Sequence, residues 1–391
     1  MRQSTKGILL AASLALLAGC ATVKVSGPAD GAASAPVQAA SAHWRFDPSR
    51  PVADRDGYRP PRKLAVLLPM TGQLATAASP VRDGLLAAYY AERRERPELV
   101  FHDTLGTAAG AVAARDRAIA EGADQVLGPL GRDEVSALFN DAQAAPLLAL
   151  NRGNVPPPGN AGNFSLAPED EGAAAAEYLL ARNARRVLVL SNGDDHAQRS
   201  VDALRARLEA DGGAIVGTVA IVGDKPGDQA EALRAAAIRD GGVDALLIAL
   251  RGSQARLVVP QLFAAGLGDK LRVATSQISS GTGKPEEDRA LDGIAFVSET
   301  WLTGGAPGLP SPAALGRDLP TARGPAARLF AFGHDAWLLS AYLQHLAEHP
   351  EASLQGATGT LRLDADGYVR RTPAWATFSN GIVLPLTGRG G

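Results

Sequence analysis

The stretch KLAVLLPMTGQLATAASPVRDGLLAAYY, residues 63–90, decides the fold class. It opens with an apolar run at residues 63–69, and an unbroken run of this kind is typical of a strand buried on both faces of a parallel sheet. Small and polar residues follow, and the segment 81–94 then repeats its apolar side chains at helical spacing. A buried strand joined to a helix is the building block of an α/β fold.

The same alternation continues along the chain in two sets. Further strand-like runs lie at residues 98–104, 125–130 and 146–151, and a second set lies at 185–192, 215–221, 243–250 and 271–277. Helical segments separate these runs, and two sets of about 110 residues each predict two lobes built on parallel sheets flanked by helices. The stretch GTLRLDADGYVRRTPAWATF then predicts a C-terminal β-hairpin with its turn at residues 364–367.

These patterns predict a two-lobed domain at residues 61–388. We assign residues 61–165 plus 290–350 to the first lobe, and residues 166–289 plus the C-terminal hairpin to the second. In open α/β sheets, ligands bind beyond the carboxyl ends of the strands. The candidate cleft residues at those ends are Thr71, Gln73, Asn151 and Arg152 in the first lobe, and Ser191, Asn192, Asp194, Arg251, Ser276 and Gln277 in the second. Turn formation alone also explains most of them, because loops after strands are polar.

Composition narrows the function. The chain has 391 residues, of which 46% are hydrophobic, and this suffices for two domains or one two-lobed domain. A formal charge of −2 and 5% aromatic residues argue against nucleic-acid binding. Residues 345–349 (HLAEH) match the inverted zinc-protease motif. However, Pro350 follows at once, so His349 would lie at a frayed helix end. No catalytic set emerges, and we expect no enzymatic activity, no metal and no cofactor.

The N-terminus predicts export and lipid anchoring. Arg2 and Lys6 precede an apolar run, residues 7–19, which is too short to span a bilayer but suits a signal peptide. Residues 17–20 (LAGC) resemble a lipobox, which predicts removal of residues 1–19 and acylation of Cys20, the only cysteine. The alternative is a secreted protein in which Cys20 is incidental. Ala21, where aspartate commonly marks inner-membrane retention, favours the outer membrane.

Residues 20–60 are predicted to be a flexible tether of alanine, glycine, proline and serine, because this segment has few large apolar side chains to bury. Trp44 and Phe46 are the exceptions, and they could dock on the folded domain.

Several segments together resemble the C-terminal domain of the LpoA (LppC) family. They are residues 63–90, VLGPLGRDEVSALF (126–139), FSLAPEDEGAAAAEYLL (164–180), LDGIAFVSETWL (291–302), FGHDAWLL (332–339) and GATGTLRLDADGYVRRTPAWATF (356–378). The resemblance implies a type I periplasmic-binding-protein fold. It also implies an outer-membrane lipoprotein that binds a class A penicillin-binding protein, a bifunctional peptidoglycan synthase, and stimulates its cross-linking of peptidoglycan.

Two features depart from the family pattern. Only the predicted tether, and no helical-repeat domain, lies between the lipid and the folded domain. Pro80 falls within the first family helix, so we expect that helix to begin at Pro80 with Ser79 as its cap. The alternative function is a periplasmic receptor that binds a small ligand between its lobes, since fold alone does not fix function.

Overall fold

The computed structural model describes residues 43–238, 241–279 and 284–386. The predicted signal peptide, Cys20 and the tether up to residue 42 therefore lie outside the described residues. Within the described ranges, no helix is both long enough and apolar enough to cross a membrane.

The chain alternates strands and helices for most of its length. The strands are β1 (Lys63–Leu68), β2 (Glu98–Asp103), β3 (Gln125–Leu127), β4 (Leu147–Ala149), β5 (Ala161–Asn163), β6 (Arg186–Ser191), β7 (Ala214–Ala220), β8 (Ala245–Ala249), β9 (Leu271–Ala274), β10 (Ala295–Ser298), β11 (Leu354–Gln355), β12 (Thr360–Leu363), β13 (Val369–Thr372), β14 (Ala374–Ser379) and β15 (Ile382–Pro385). The α-helices are α1 (Ala75–Ala91), α2 (Ala108–Ala120), α3 (Arg132–Phe139), α4 (Pro168–Leu180), α5 (Asp195–Ala210), α6 (Ala230–Ala237), α7 (Gly252–Val258), α8 (Gln261–Ala264), α9 (Pro285–Asp288), α10 (Thr300–Thr303), α11 (Pro312–Asp318) and α12 (Ala327–Glu348).

Two main sheets form the two lobes, as the sequence predicts. The first is parallel with strand order β2-β1-β3-β4-β5. The second has the order β15-β14-β10-β9-β8-β6-β7. Strands β6 to β10 are parallel to one another, whereas β14 and β15 pair in antiparallel fashion. Neighbouring residues of one strand enter different cores: Leu188 packs on one face of the second sheet and Val187 on the other. Burial on both faces explains why these strands read as continuous apolar runs.

The predicted lobe boundaries need correction at two places. β10 pairs with β9 in the second sheet, so residues 295–298 belong there and not to the first lobe. The hairpin of β12 and β13, whose turn is at residues 364–367 as predicted, packs on the first lobe. Its Gly367 carbonyl accepts a hydrogen bond from the backbone N–H of Asn163 at 2.9 Å. Of the strands after α12, β14 and β15 extend the second sheet. The prediction was wrong here because a sequence pattern identifies a strand but does not show which sheet it joins.

The first helix begins earlier than predicted. α1 starts at Ala75, and Pro80 lies inside it, buried. Proline in a helix removes one backbone hydrogen bond. Tertiary packing offsets this loss, because Val81 and Leu85 of the same helix are fully buried.

α1 and α12 approach each other through glycines. A Cβ atom at Gly84 would lie 1.9 Å from the carbonyl oxygen of Phe330, and one at Gly333 would lie 1.9 Å from that of Val81. No side chain fits at either position without moving a backbone. This close contact fixes α12 on the first lobe and thereby sets the position of its N-terminal end.

Residues 43–60 are not part of a flexible tether, which corrects the predicted limit at residue 60. Trp44 packs in the core of the first lobe, where it is 8% exposed, and Phe46 packs against that core. The Arg50 side chain is fully buried, and its Nε donates to Asp124 Oδ2 at 2.7 Å. We call residues 43–60 the N-terminal strap. A buried ion pair and two aromatic rings hold it on the domain.

Candidate functional site

The chain passes three times between the lobes, and these crossings bring charged side chains together. The first crossing joins β5 to α4, the second joins β10 to α10, and the third joins β13 to β14. Each contributes a charged residue close to the start of α12. We call this group of side chains the junction cluster: Glu171, Glu299, Arg328 and Arg371.

Arg328, in the first turn of α12, is at the centre of the junction cluster. Its Nε donates to Glu299 Oε1 at 2.7 Å, and its Nη2 donates to Glu171 Oε1 at 2.5 Å. Its Nη1 donates to the hydroxyl of Ser276 at 2.6 Å. One guanidinium therefore holds two carboxylates and a hydroxyl, all of which lie at the edge of the second lobe. A charged helix end of the first lobe is thus bonded to the second.

The local sequence prepares Glu171 for this position. It lies in the first turn of α4, where the N-terminus of a helix favours negative charge. Burial by itself would raise the pKa of Glu171, but the charge of Arg328, the neighbouring His196 and the backbone N–H of Ser276 hold that pKa well below its usual range. The Glu171 side chain is fully buried and ionised, so its burial is stable only while the charge of Arg328 compensates it.

Arg371, on β13, is the second cation of the junction cluster. Its Nη1 donates to the carbonyl oxygen of Thr358 at 3.1 Å. Its Nε and Nη2 are buried without a hydrogen-bond partner among the described residues. Burial lowers the pKa of Arg371, although the negative charge of Glu299 opposes this effect. The third crossing therefore carries a buried cation, Arg371, whose charge is offset by carboxylates such as Glu299 that lie beyond hydrogen-bond distance.

Two of the predicted first-lobe cleft residues form hydrogen bonds within that lobe. The Thr71 hydroxyl donates to Asp103 Oδ2 at 2.7 Å, and Asn151 Nδ2 donates to the Leu130 carbonyl at 2.9 Å. Arg152 Nη2 donates to Asp170 Oδ1 at 2.7 Å. Gln73 is exposed. The contacts of Thr71 and Asn151 fix loops after strands, whereas Arg152 bonds to the first turn of α4 in the second lobe. The use of these residues in a cleft stays a prediction.

The structure brings several of the predicted second-lobe residues into contact with one another. Asp194 caps α5 by accepting from the backbone N–H of Ala197 at 2.9 Å, and its other oxygen accepts from Asn192 at 3.1 Å and from Arg251 at 3.3 Å. The Ser191 hydroxyl accepts from the backbone of Gly193. Among the predicted residues, Arg251, Ser276 and Gln277 line one common cavity of about 870 Å³.

Sequence reasoning missed the junction cluster. Glu171 and Arg328 are separated by 157 residues in the chain, so no local spacing links them. The available signal was weak: a run of three acids at residues 169–171 begins a helix that is otherwise rich in alanine.

The histidine motif forms no metal site in the described part of the chain. His345 lies on α12, and His349 follows the last residue of that helix, with 4.6 Å between the two ring centroids. His349 Nδ1 lies 3.0 Å from the carbonyl oxygen of His345, which is a helix-end contact. Across the described ranges, no group of three histidine, cysteine or acidic side chains could hold a metal ion.

Comparison with known proteins identifies similar sequences. The sequence profile of a family described as periplasmic binding protein matches residues 61–324. The penicillin-binding protein activator LpoA of Dickeya chrysanthemi is 27% identical over 327 residues, which cover 73% of this chain and 47% of that protein. The LpoA of Klebsiella pneumoniae is 28% identical over 301 residues, covering 68% of this chain and 42% of that protein. The chain thus spans about half the length of the curated relatives it matches.

Solved structures share the fold of this chain. The C-domain of LpoA from Haemophilus influenzae, described as a regulator of PBP1A, matches with a TM-score of 0.70 and 21% identity, over 83% of this chain and 100% of that one. A putative branched-chain amino acid ABC transporter from Chromobacterium violaceum matches with a TM-score of 0.62 and 28% identity, over 81% of this chain and 99% of that one. The predicted two-lobed fold and the resemblance to the LpoA family are confirmed.

Proposed function

The chain belongs to the periplasmic binding protein family, and from this premise we propose that it binds and activates a class A penicillin-binding protein. Such an enzyme is a bifunctional peptidoglycan synthase, and the effect of binding would be faster cross-linking. The observation that carries the proposal is the extent of the match: this chain covers the whole of a C-domain described as a regulator of PBP1A. Several curated relatives bear the name penicillin-binding protein activator.

The proposed mechanism is docking without catalysis. The charges of the junction cluster bond the lobes to each other, and the hydroxyl they hold, that of Ser276, is engaged by both Arg328 and Glu171. An activator can shift a synthase between conformations only by binding one of them more tightly, and about 1.4 kcal/mol of difference changes the population ratio tenfold. An interface of about 800 Å² on each partner is large enough to supply this.

A reconstituted assay tests this function. Residues 43–386 keep the whole described domain, so we expect this fragment to bind the cognate class A synthase and to raise its cross-linking rate in solution. The fragment alone should leave isolated peptidoglycan unchanged. A synthase of another class, mixed with the same fragment, is the control. Failure to bind or stimulate any class A synthase of its own organism would contradict the proposal.

We also propose that Cys20 carries lipid that anchors the chain to the outer membrane. Because the strap is docked, the connection between the proposed lipid and the domain comprises at most residues 20 to 42. These 23 residues (42 − 20 + 1) reach about 80 Å when fully extended. A domain of this size adds about 50 Å. The proposed activator would therefore reach about 130 Å from the outer membrane, which favours a partner domain that projects from the inner membrane.

Replacing Cys20 by alanine tests the anchor. We expect Cys20→Ala to move the protein from the membrane fraction to the soluble periplasmic fraction, because two or more acyl chains make anchoring stable and their loss removes it. The thermal unfolding midpoint should stay unchanged, since Cys20 lies before the strap. Ala21→Ser is the matched control and should remain membrane-bound. Detergent-dependent extraction of Cys20→Ala would refute lipid anchoring at this residue.

A further inference from the structure

A pocket of about 440 Å³ lies between the N-terminal strap and residues 94–96, which follow α1. The strap and the two residues after it supply an apolar wall that contains Pro51, Val52, Pro60 and Pro61. Val52 is 92% exposed, so this wall is open to an occupant. Small-molecule sites usually have volumes of about 300 to 1,000 Å³, and the pocket is within this range.

The pocket lies at the opposite end of the first sheet from the predicted cleft. Arg62 and Arg96 of its wall come just before β1 and β2, so the pocket is at the amino ends of these strands, whereas the cleft was predicted at carboxyl ends. None of the predicted cleft residues is among the described residues that line it. Because the strap forms one wall, the pocket exists only while the strap is docked.

Two guanidinium groups of the wall have no charged partner among the described residues. Arg59, on the strap, donates from Nε to the Pro51 carbonyl at 2.7 Å and from Nη2 to the Arg50 carbonyl at 3.0 Å. Arg96, on the opposite wall, donates from Nη1 to the Tyr89 carbonyl at 3.2 Å. Arg59 is partly exposed and Arg96 is exposed, so each can present its remaining N–H groups to an occupant. Such groups suit an anionic oxygen.

The other charges of the wall are two paired arginines, one paired acid and one unpaired acid. Arg62 Nη2 lies 3.0 Å from Asp47 Oδ2, and Arg94 Nη1 lies 3.6 Å from Asp54 Oδ2. Glu95 is exposed at the pocket, and its carboxylate has no ion pair within the described ranges. An occupant therefore meets two available cations and one available anion.

This set of charges selects a particular kind of ligand. A phosphate has more acceptor oxygens than a carboxylate, and they point in different directions, so it can bond to guanidinium groups on two walls. Glu95, next to Arg96 in the chain, would repel a simple phosphate but would attract an ammonium group on the same molecule. A phosphate ester that also carries an ammonium group is complementary to all three residues.

We propose that this pocket binds a phosphate ester whose alcohol part carries an ammonium group, as ethanolamine head groups do. The phosphate bonds to Arg59 and Arg96, the ammonium bonds to Glu95, and the methylene groups between them contact Val52. Because the ligand contacts both walls, it holds the strap on the domain. This goes beyond the proposed activation of a synthase and does not depend on it, because binding is measured with no synthase present.

Isothermal titration of the full chain carrying Cys20→Ala, which has no cysteine to acylate, tests the pocket with two sources of the same chemistry. O-phosphoethanolamine represents a free ester, and glycerophosphoethanolamine represents the head group of a lipid. We expect saturable binding of at least one of them with one site per chain, and binding of the second would assign a lipid source. Ethyl phosphate, which lacks the ammonium, should bind about threefold more weakly than O-phosphoethanolamine, because Glu95 then has no partner.

Variants locate the site. Arg96→Met should weaken O-phosphoethanolamine at least about fivefold, because one charged donor is lost. Arg93→Met changes an exposed arginine of the same segment that does not line the pocket, and this matched control should bind normally. Glu95→Gln keeps the backbone carbonyl that accepts from the Tyr58 hydroxyl, and should remove the preference for O-phosphoethanolamine over ethyl phosphate. The unfolding midpoint of each variant shows that it is folded.

Hydrogen exchange of residues 43–60 tests the effect on the strap. A ligand that binds only the docked strap stabilises it by a factor of one plus the ratio of ligand concentration to Kd. O-phosphoethanolamine at about ten times its Kd should therefore slow the exchange that requires strap release about tenfold. The same concentration should slow this exchange less in Arg96→Met than in Arg93→Met.

Four results would overturn the proposal. They are no saturable binding of either ethanolamine ester up to about 10 mM, equal binding by Arg96→Met and Arg93→Met, a preference for the ammonium that is absent from the native pocket or survives in Glu95→Gln, and strap exchange that is unchanged at saturation.

Discussion

Replacing Arg328 by methionine is expected to lower the free energy of unfolding by about 3 kcal/mol, because it leaves buried carboxylates without their cation. Glu171 is fully buried and Glu299 is 4% exposed, so neither can be solvated in place of the lost guanidinium. Methionine keeps much of the arginine's volume, and the loss therefore reports on charge more than on packing. Chemical denaturation of the native chain and the variant at neutral pH measures the difference in free energy of unfolding.

Matched variants separate the charge effect from a general loss of packing. Arg328→Met with Glu171→Gln and Glu299→Gln removes all three charges and should recover much of the stability, since the penalty arises from unpaired charge. Arg205→Met breaks an exposed pair with Asp202 and should change stability by less than about 1 kcal/mol. A single Arg328→Met variant as stable as Arg205→Met would show that the junction cluster does not hold the lobes.

The pH dependence of this difference has a defined sign. The pKa of Glu171 in the folded protein lies below the usual glutamate value of 4.5, so its contribution is complete above pH 4.5 and is lost as the pH falls toward the folded pKa. In Arg328→Met the same carboxyl is buried without the guanidinium and, as a basic side chain in contact, keeps only His196 Nε2, 3.6 Å from its Oε1, so its pKa is higher than in the native chain and protonation relieves the unpaired charge. The stability gap between the native chain and the variant should therefore narrow as the pH falls from the higher pKa of Glu171 in the folded variant toward its lower pKa in the folded native chain.

Replacing Arg50 by methionine is expected to release the N-terminal strap and to reduce the free energy of unfolding by about 3 kcal/mol. The Arg50 side chain is fully buried, and it donates from Nε to Asp124, from Nη1 to Gln125 and from Nη2 to the Asp124 carbonyl. Removing it leaves Asp124 and Gln125 partly unpaired beneath the strap. Hydrogen exchange of residues 43–60, measured together with the unfolding midpoint, follows both effects.

Two controls accompany the strap variant. Arg55→Met changes an exposed arginine of the same strap and should leave exchange and stability unchanged. Asp124→Asn should weaken the same contact from the other side, so its effect should not add fully to that of Arg50→Met. If a chain beginning at residue 61 were as stable as the native one, the strap would contribute nothing to folding.

Strap release also bears on the proposed function. The strap contains 18 residues (60 − 43 + 1), and freeing them would lengthen the connection to the lipid by about 60 Å. Docking of the strap therefore limits how far the domain could extend from the membrane, and Arg50 is the residue whose loss would change that limit most directly.

The sequence by itself determined the alternation of strands and helices, and hence the two-lobed α/β fold. Residues 63–68 form a strand because their apolar side chains suit burial on both faces of a sheet, and this information is local. The hairpin turn at residues 364–367 was equally readable, since Gly367 adopts a φ of 85°, which glycine accepts without strain.

The tertiary structure alone decided which sheet each late strand joins, where the tether ends and which charges meet. β10 joins the second sheet, and Arg50 reaches Asp124 across 74 residues of chain. Glu171 and Arg328 are both ordinary charged residues at helix N-termini, and nothing in their neighbours marks them as partners. Pairing of buried charges depends on how the lobes are juxtaposed, and that juxtaposition follows from long-range packing such as the contact of Gly84 and Gly333 with opposing backbone.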